Sequence, residues 1–193
     1  MSHSAEGAMD RLFVAVRPPS EVSSRIQDWT ETLRKQANFK KWVHPQDYHI
    51  TLQFLGDTPS HRIAELAEAL QEVAKERKPF KLSLYDAGVF GASGSPRILW
   101  AGVGGDLNAL AELQQSVVSR MESFGFVPEE RPFRPHITVG RKFQGNQTFS
   151  LDVIGKGPEP IQWEVLEMVL FRTNLQASPM YETVGVARLS TIF

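Results

Sequence analysis

Along this chain, short runs of consecutive apolar residues alternate with stretches in which apolar residues recur at helical spacing. This pattern predicts strands interspersed with helices. The run 12–16 is apolar throughout and predicts a buried strand. A helix is predicted next, with Ser20 as its N-cap. Its buried face is predicted to consist of Val22, Ile26, Trp29 and Leu33. A second strand is predicted over 48–55, ending in a turn at Gly56-Asp57.

The remainder of the chain continues this alternation. A second helix is predicted to open at 58–60, and a third is predicted to be capped by Asp106. Strands are predicted at 80–85 and around 98–100. The segment 88–96 between them holds three glycines and a proline, so it is predicted to be a loop. Further strands are predicted at 136–139, 161–171 and 181–188.

The order of these elements predicts an α+β fold in which helices back an antiparallel sheet. No repeat, low-complexity segment or long linker divides the sequence, so we predict one domain over residues 9–193. Residues 1–8 lack the apolar core of a signal peptide and are predicted to be a disordered tail or an artificial extension. Met9 is then a candidate native start.

Composition narrows the class of function. The 193 residues carry a net charge of −1, whereas proteins that coat long nucleic acids carry a strong basic excess. Any nucleic acid contact is therefore predicted to be short, such as a strand end. The absence of cysteine excludes disulfides and thiol-ligated zinc or iron–sulfur sites. No apolar run approaches the length of about 20 residues that spans a membrane, so we expect a cytoplasmic protein with no membrane role.

The tripeptide His-Ile-Thr, followed by an aliphatic residue, occurs twice, beginning at His49 and at His136. Because side chains alternate between the faces of a strand, the histidine and threonine of each motif would project together while the isoleucine anchors the core. One such motif is more often structural. Two copies, nearly half the chain length apart, favour a catalytic pair with one motif from each half of the fold.

Two imidazoles and two hydroxyls around one cleft suit the opening of a cyclic phosphodiester. A neutral imidazole can take a proton from the attacking water, and a protonated one can give a proton to the departing ribose oxygen. The threonine hydroxyls can hydrogen-bond the non-bridging oxygens of the phosphate. This chemistry requires neither a metal nor another cofactor. The residues alone leave open which histidine is the acid.

The sequence around both motifs resembles the 2H phosphoesterase superfamily, and within it the RNA 2′,3′-cyclic phosphodiesterase family, also called 2′-5′ RNA ligases. The resemblance runs in family order over nearly the whole chain. The matching segments are Arg11-Leu-Phe-Val-Ala-Val16, His49-Ile-Thr-Leu-Gln-Phe-Leu-Gly56, Arg97-Ile-Leu-Trp100, Arg131-Pro-Phe-Arg-Pro-His-Ile-Thr-Val-Gly-Arg141 and Tyr181.

The resemblance implies a bilobal fold, in which two antiparallel sheets with flanking helices are related by a pseudo-two-fold axis and enclose the active cleft. It implies hydrolysis of an RNA-terminal 2′,3′-cyclic phosphodiester to a 2′-phosphomonoester, on RNA ends or cyclic nucleotides. It implies His49 as proton donor, His136 as proton acceptor, and Thr51 and Thr138 as phosphate-binding residues. No obligate protein partner is inferred.

Other residues near the motifs are weaker candidates. Possible substrate contacts are Arg131, Arg134, Arg141 and Tyr181; the alternative for the arginines is a solvated basic edge. Phe54 follows Thr51 by three residues, so on a regular strand it would point to the opposite face and belong to the core. Trp100 is also predicted to be a core residue, because a tryptophan on a strand is more often buried.

Several alternatives remain open. The same chemistry could act on ADP-ribose cyclic phosphate or on 2′-5′-linked oligonucleotides, or run in reverse as 2′-5′ RNA ligation. A non-catalytic module that binds RNA ends is the alternative of another class. A metal-dependent hydrolase would need clustered ligands such as H-E-x-x-H, and a phosphate-loop enzyme would need G-x-x-x-x-G-K-[ST]; neither motif occurs.

Overall fold

The computed structural model describes residues 7–192, so residues 1–6 of the predicted tail lie outside the described part. The strands are β1 (Met9–Val16), β2 (Phe39–Trp42), β3 (Ile50–Pro59), β4 (Phe80–Ala92), β5 (Ser95–Gly105), β6 (His136–Phe143), β7 (Gln162–Val165), β8 (Glu167–Thr173) and β9 (Tyr181–Arg188). The α-helices are α1 (Ser20–Arg34), α2 (Ile63–Lys75) and α3 (Leu107–Glu122). The backbone is hydrogen-bonded from before Met9, because the Ala8 carbonyl accepts from the Ser60 N–H at 2.8 Å.

The strands form one antiparallel sheet in the order β7-β4-β5-β6-β3-β1-β8-β9, and β2 pairs with the C-terminal part of β6. The predicted α+β class and antiparallel sheet are confirmed. The two halves of this sheet join at a single residue pair, Ile50 of β3 with Ile137 of β6, which is consistent with the predicted bilobal arrangement. Both isoleucines are fully buried, so the junction belongs to the core. We refer to this single residue pair as the seam.

The two faces of the sheet differ in what covers them. The apolar sides of the three helices pack on one face and form the main core with strand residues such as Leu12, Val14 and Leu99. On the opposite face a smaller cluster contains Phe13, Ala15, Val169 and Phe171, with Tyr181 packed against it. We call this second face the site face, because both motifs project from it.

The predicted loop at 88–96 is wrong. These residues complete β4 and open β5, and they form a hairpin whose register runs from Gly88 opposite Trp100 to Ala92 opposite Ser95. Gly88 serves packing rather than a turn, since a Cβ at this position would overlap the indole of Trp100. Glycine content therefore indicated a loop where the sheet needed room for a tryptophan ring.

Other element boundaries shift for local reasons. The N-cap of α1 is Pro19 rather than Ser20, whereas Asp106 caps α3 as predicted and accepts from the Ala109 N–H at 3.0 Å. The turn predicted at Gly56-Asp57 is absent, because β3 continues to Pro59 with Gly56 at φ 73° in a ladder irregularity. No helix within residues 7–192 is long and apolar enough to cross a membrane.

Candidate active site

The two histidine motifs meet at the seam. His49 directly precedes Ile50, and His136 directly precedes Ile137. Continuing the antiparallel register by one residue in each direction sets His49 across from Thr138 and His136 across from Thr51. Since Ile50 and Ile137 point into the core, the four motif side chains project from the site face. The sequence prediction that each half supplies one motif to a shared site is consistent with this placement.

Hydrogen bonds fix the ring of His49. Its Nδ1–H donates to the main-chain carbonyl of Asp47 at 2.7 Å. Because a carbonyl only accepts, the proton of the neutral ring lies on Nδ1, and Nε2 is left as the basic nitrogen. The hydroxyl of Thr51 donates to this Nε2 at 3.0 Å. The ring is therefore oriented with its basic nitrogen toward the threonine of its own motif.

A hydrogen bond to a main-chain carbonyl also orients the ring of His136. Its Nδ1–H donates to the carbonyl of Arg134 at 2.7 Å, again two residues before the histidine. This bond leaves Nε2 as the basic nitrogen of the second imidazole. Arg134 was predicted as a substrate contact, but the structure gives its carbonyl a role in orienting His136 and leaves the residue itself exposed.

Both imidazoles have a pKa below the usual value of a histidine. The pKa of His49 is lowered to about 4, chiefly by burial and also by the charges of Arg141 and His136, although the hydrogen bond to the Asp47 carbonyl opposes the shift. Burial also lowers the pKa of His136, with Arg141 adding to the effect. Both rings are therefore neutral at pH 7 in the free protein. An anion placed beside them would raise both pKa values and favour the protonated form.

A β-bulge follows the threonine of each motif. In β3 the partner of Thr51 is Ala15, but the partner of Gln53 is the adjacent Val14, so Leu52 is an extra residue. In β6 the partner of Thr138 is Trp100 and that of Gly140 is Leu99, so Val139 is the extra residue. Each bulge shifts the alternation of faces by one position.

The bulges bring two further side chains onto the site face. Phe54 pairs with Phe13, and Arg141 pairs with Ile98, so each lies on the same face as the threonine three residues before it. The prediction that Phe54 is a core residue is therefore wrong. Its side chain is 58% exposed, and its ring centroid lies 5.9 Å from that of Phe13.

Arg141 is the cation shared by the site. Its charge lowers the pKa values of His49, His136 and Tyr181, which places the guanidinium close to all three side chains. Burial raises the pKa of Tyr181 and keeps the phenol protonated, although Arg141 opposes the shift. Both Arg141 and Tyr181 were predicted as possible substrate contacts, and the structure brings both to the motifs.

Aromatic rings flank each imidazole. The ring centroid of His49 lies 4.9 Å from Phe13 and 5.2 Å from Tyr181. That of His136 lies 4.9 Å from Phe90, in an edge-on arrangement. Trp100 lies 6.5 Å from His136 on the site face, so its predicted place in the core is wrong. These rings cover part of each imidazole and contribute to the burial that lowers the pKa values.

Asp47 is a site residue that the sequence prediction missed. Its carboxylate is buried and accepts from the main-chain N–H groups of Met180 at 2.9 Å and Tyr181 at 3.2 Å. The same residue offers its carbonyl to His49. Asp47 thus ties the segment before the first motif to the start of β9. Its position two residues before a motif histidine was the one signal in the sequence.

Two remaining predictions concern Arg131 as a substrate contact and the binding of metals. Arg131 is 86% exposed and approaches Glu129 at 3.9 Å, so the structure does not bring it to the motifs. Within residues 7–192, no three or more His, Cys, Asp or Glu side chains are grouped as metal ligands would be.

Comparison with known proteins adds independent information. The profile of the 2′-5′ RNA ligase superfamily matches residues 18–177. An RNA 2′,3′-cyclic phosphodiesterase of Bacillus subtilis strain 168 is 36% identical over 178 residues, covering 92% of this chain and 96% of its own. One of Geobacillus stearothermophilus is 42% identical over 174 residues, covering 90% of this chain, which spans 55% of that relative's length.

Solved structures share the fold. Escherichia coli LigT, crystallised with 3′-AMP, superimposes with a TM-score of 0.79 at 24% identity, covering 95% of this chain and all of LigT. A second structure, described as a phosphoesterase, gives a TM-score of 0.76 at 25% identity, covering 95% of this chain and all of its own. The architecture described above is therefore that of known phosphoesterase structures.

Proposed function

This chain belongs to the 2′-5′ RNA ligase superfamily, and we propose that it hydrolyses the 2′,3′-cyclic phosphodiester at an RNA end to a 2′-phosphomonoester. The observation that carries this proposal is the convergence of two histidine motifs and the shared cation Arg141 at the seam. The names of the Bacillus and Geobacillus relatives support the substrate class.

The reaction is a water attack assisted by an acid and a base. Nε2 of His136 takes a proton from water as the water oxygen bonds to phosphorus. His49, protonated on Nε2, gives its proton to the ribose O3′ as the P–O3′ bond breaks. The products are a 2′-phosphate and a free 3′-hydroxyl, so atoms and protons balance. General acid and general base each contribute about 10²–10⁴-fold.

The remaining groups hold charge. Thr51 and Thr138 hydrogen-bond the non-bridging oxygens, and Arg141 neutralises the anion between the imidazoles. The phosphate raises the pKa of His49 from its low value in the free protein, so the proton that catalysis needs is taken up as substrate binds. The hydroxyl of Thr51 already bonds to Nε2 of His49, so it can exchange this hydrogen bond for one to the phosphate without moving far.

The test of this function is a product analysis. The purified protein, incubated with a 2′,3′-cyclic mononucleotide, is expected to yield only the 2′-phosphomonoester by ³¹P NMR. Turnover is expected to persist in excess EDTA, because the imidazoles, hydroxyls and guanidinium suffice for the chemistry. Parallel incubations with ADP-ribose cyclic phosphate, a 2′-5′-linked dinucleotide and a pair of ligatable RNA ends separate the alternatives. Binding of the cyclic nucleotide without any turnover would identify a non-catalytic RNA-end module instead.

Phe54 offers an exposed ring on which the terminal base can stack. We expect Phe54→Ala to raise KM for a 2′,3′-cyclic mononucleotide with little change in kcat, because base–aromatic stacking is worth about 1–3 kcal/mol per base. Steady-state kinetics with cyclic nucleotides measure the two constants separately. Tyr85→Ala is the matched control, since Tyr85 is equally an exposed strand aromatic, with 69% of its surface exposed. Equal effects of the two substitutions, or an effect of Phe54→Ala confined to kcat, would remove Phe54 from base recognition.

A further inference from the structure

A second cavity lies beside the cleft. It has a volume of about 350 Å³ and is enclosed by α1, β2, the segment before His49 and the segment that leads into β9. Asp47 and Met180 line it, and these residues also border the active site, because the Asp47 carboxylate accepts from the N–H groups of Met180 and Tyr181. The cavity therefore adjoins the candidate active site through a thin shared wall.

Two cations of this cavity could contact a phosphodiester. Arg34 and Lys41 line it, and of its two carboxylates Asp47 is already bonded to main-chain N–H groups while Glu31 remains. The guanidinium of Arg34 lies 5.1 Å from the ring centroid of Trp42, which also lines the cavity. A cation stacked on an aromatic ring is a wall of the kind that binds single-stranded nucleic acid.

Lys41 connects the cavity to the phosphate site. It pairs with Arg141 across β2 and β6, so both side chains lie on the same face with Cβ atoms about 4.5–5.5 Å apart. Its ammonium also contacts the sulfur of Met180 at 3.1 Å. Lys41 is exposed and lines the cavity while its pairing partner Arg141 belongs to the motif site.

We propose that this cavity holds the nucleotide that precedes the cyclic end of an RNA strand, with Lys41 on the phosphodiester that joins the two nucleotides. The inference rests on the proposed function and specifies its substrate as an oligonucleotide. Arg34 and Trp42 face the preceding nucleoside. A strand end entering the cleft thus occupies two adjacent sites, and a mononucleotide fills only the first.

Kinetics on substrates of two lengths test this site. We expect a cyclic-ended trinucleotide to have a higher kcat/KM than a cyclic mononucleotide. Lys41→Met is expected to lower kcat/KM for the trinucleotide about fivefold to tenfold and to leave the mononucleotide unaffected, as for a lost, partly screened contact to charge. It should also reduce the slope of log kcat/KM against log salt by about 0.7 for the trinucleotide. Arg34→Met, a second variant, is expected to act on the trinucleotide alone.

Lys40→Met is the matched control, because Lys40 is the neighbouring exposed lysine of β2 and does not line the cavity. Equal kcat/KM values for the two substrates, an equal loss on both in Lys41→Met, or the same loss in Lys40→Met would each overturn the inference. Binding of a trinucleotide that ends in a 2′-phosphate, measured by anisotropy, tests the cavity without turnover. If wild-type protein hydrolyses neither substrate, the proposed function fails, while Lys41-dependent binding would still support the cavity.

Discussion

His136→Ala is expected to lower kcat for a 2′,3′-cyclic mononucleotide by about 10²–10⁴-fold, because the variant would have no base for the attacking water. His49→Ala is expected to lower kcat by a similar factor, since the leaving oxygen then departs unprotonated. The double variant is expected to lose little more than either single one, because the two groups act in a single step. Steady-state assays with initial rates at saturating substrate measure these factors.

The control for this experiment is His61→Ala, which removes an exposed histidine from the 3₁₀ turn Ser60–Arg62, away from the seam. Far-UV circular dichroism and thermal unfolding confirm that each variant is folded. Retained binding of a nucleotide 2′-monophosphate by His136→Ala separates loss of chemistry from loss of the site. A fully active, folded His136→Ala protein would contradict the assignment of the second motif.

Arg141→Met is expected to have two effects. Losing the cation at the phosphate should lower kcat/KM about 10²–10³-fold, as for removal of one group that stabilises developing charge. The second effect concerns pH. Productive free protein has one protonated and one neutral imidazole, and both pKa values lie below 6.5, that of His49 at about 4. Wild-type kcat/KM is therefore expected to peak below pH 6.5 and to fall about tenfold per unit at higher pH.

Removal of Arg141 raises both histidine pKa values, because the guanidinium charge lowers them. The falling limb of the kcat/KM profile is thus expected to move to higher pH in Arg141→Met. Arg131→Met is the control, since Arg131 is an exposed arginine beside Glu129 and should change neither rate nor profile. A lower rate with an unmoved pH limb would mean that Arg141 acts on substrate without acting on the imidazoles.

The sequence predicted most of what local patterns encode. Apolar periodicity located all three helices, and alternation placed strands around both motifs. The joint projection of His and Thr within each motif was predictable, because residues two positions apart share a face on a regular strand. Strand β2 was missed, since its four residues include two exposed lysines and carry no apolar pattern. That omission also hid Lys41 and the cavity beside it.

What escaped prediction depends on contacts between distant residues. Phe54 was assigned to the core from regular alternation along its strand, and a bulge changes face without a distinct composition. Trp100 was assigned to the core because a tryptophan on a strand is more often buried. The hydrogen bonds from the main-chain N–H groups of Met180 and Tyr181 to the Asp47 carboxylate join residues more than 130 positions apart. The single sheet likewise depends on one pairing between Ile50 and Ile137, which no local pattern specifies.

The matching bulges have a consequence for the direction of the reaction. A scaffold with equivalent halves offers a nucleotide two opposite ways to enter, and the histidines and threonines do not distinguish them. The two orientations are distinguished by the residue that each bulge turns onto the site face. One half presents the ring of Phe54, and the other presents the charge of Arg141. A base stacks on the aromatic ring and a phosphate binds the cation, so only one orientation of the nucleotide satisfies both contacts. We therefore expect the residues three positions after Thr51 and Thr138 to decide which imidazole faces the leaving oxygen.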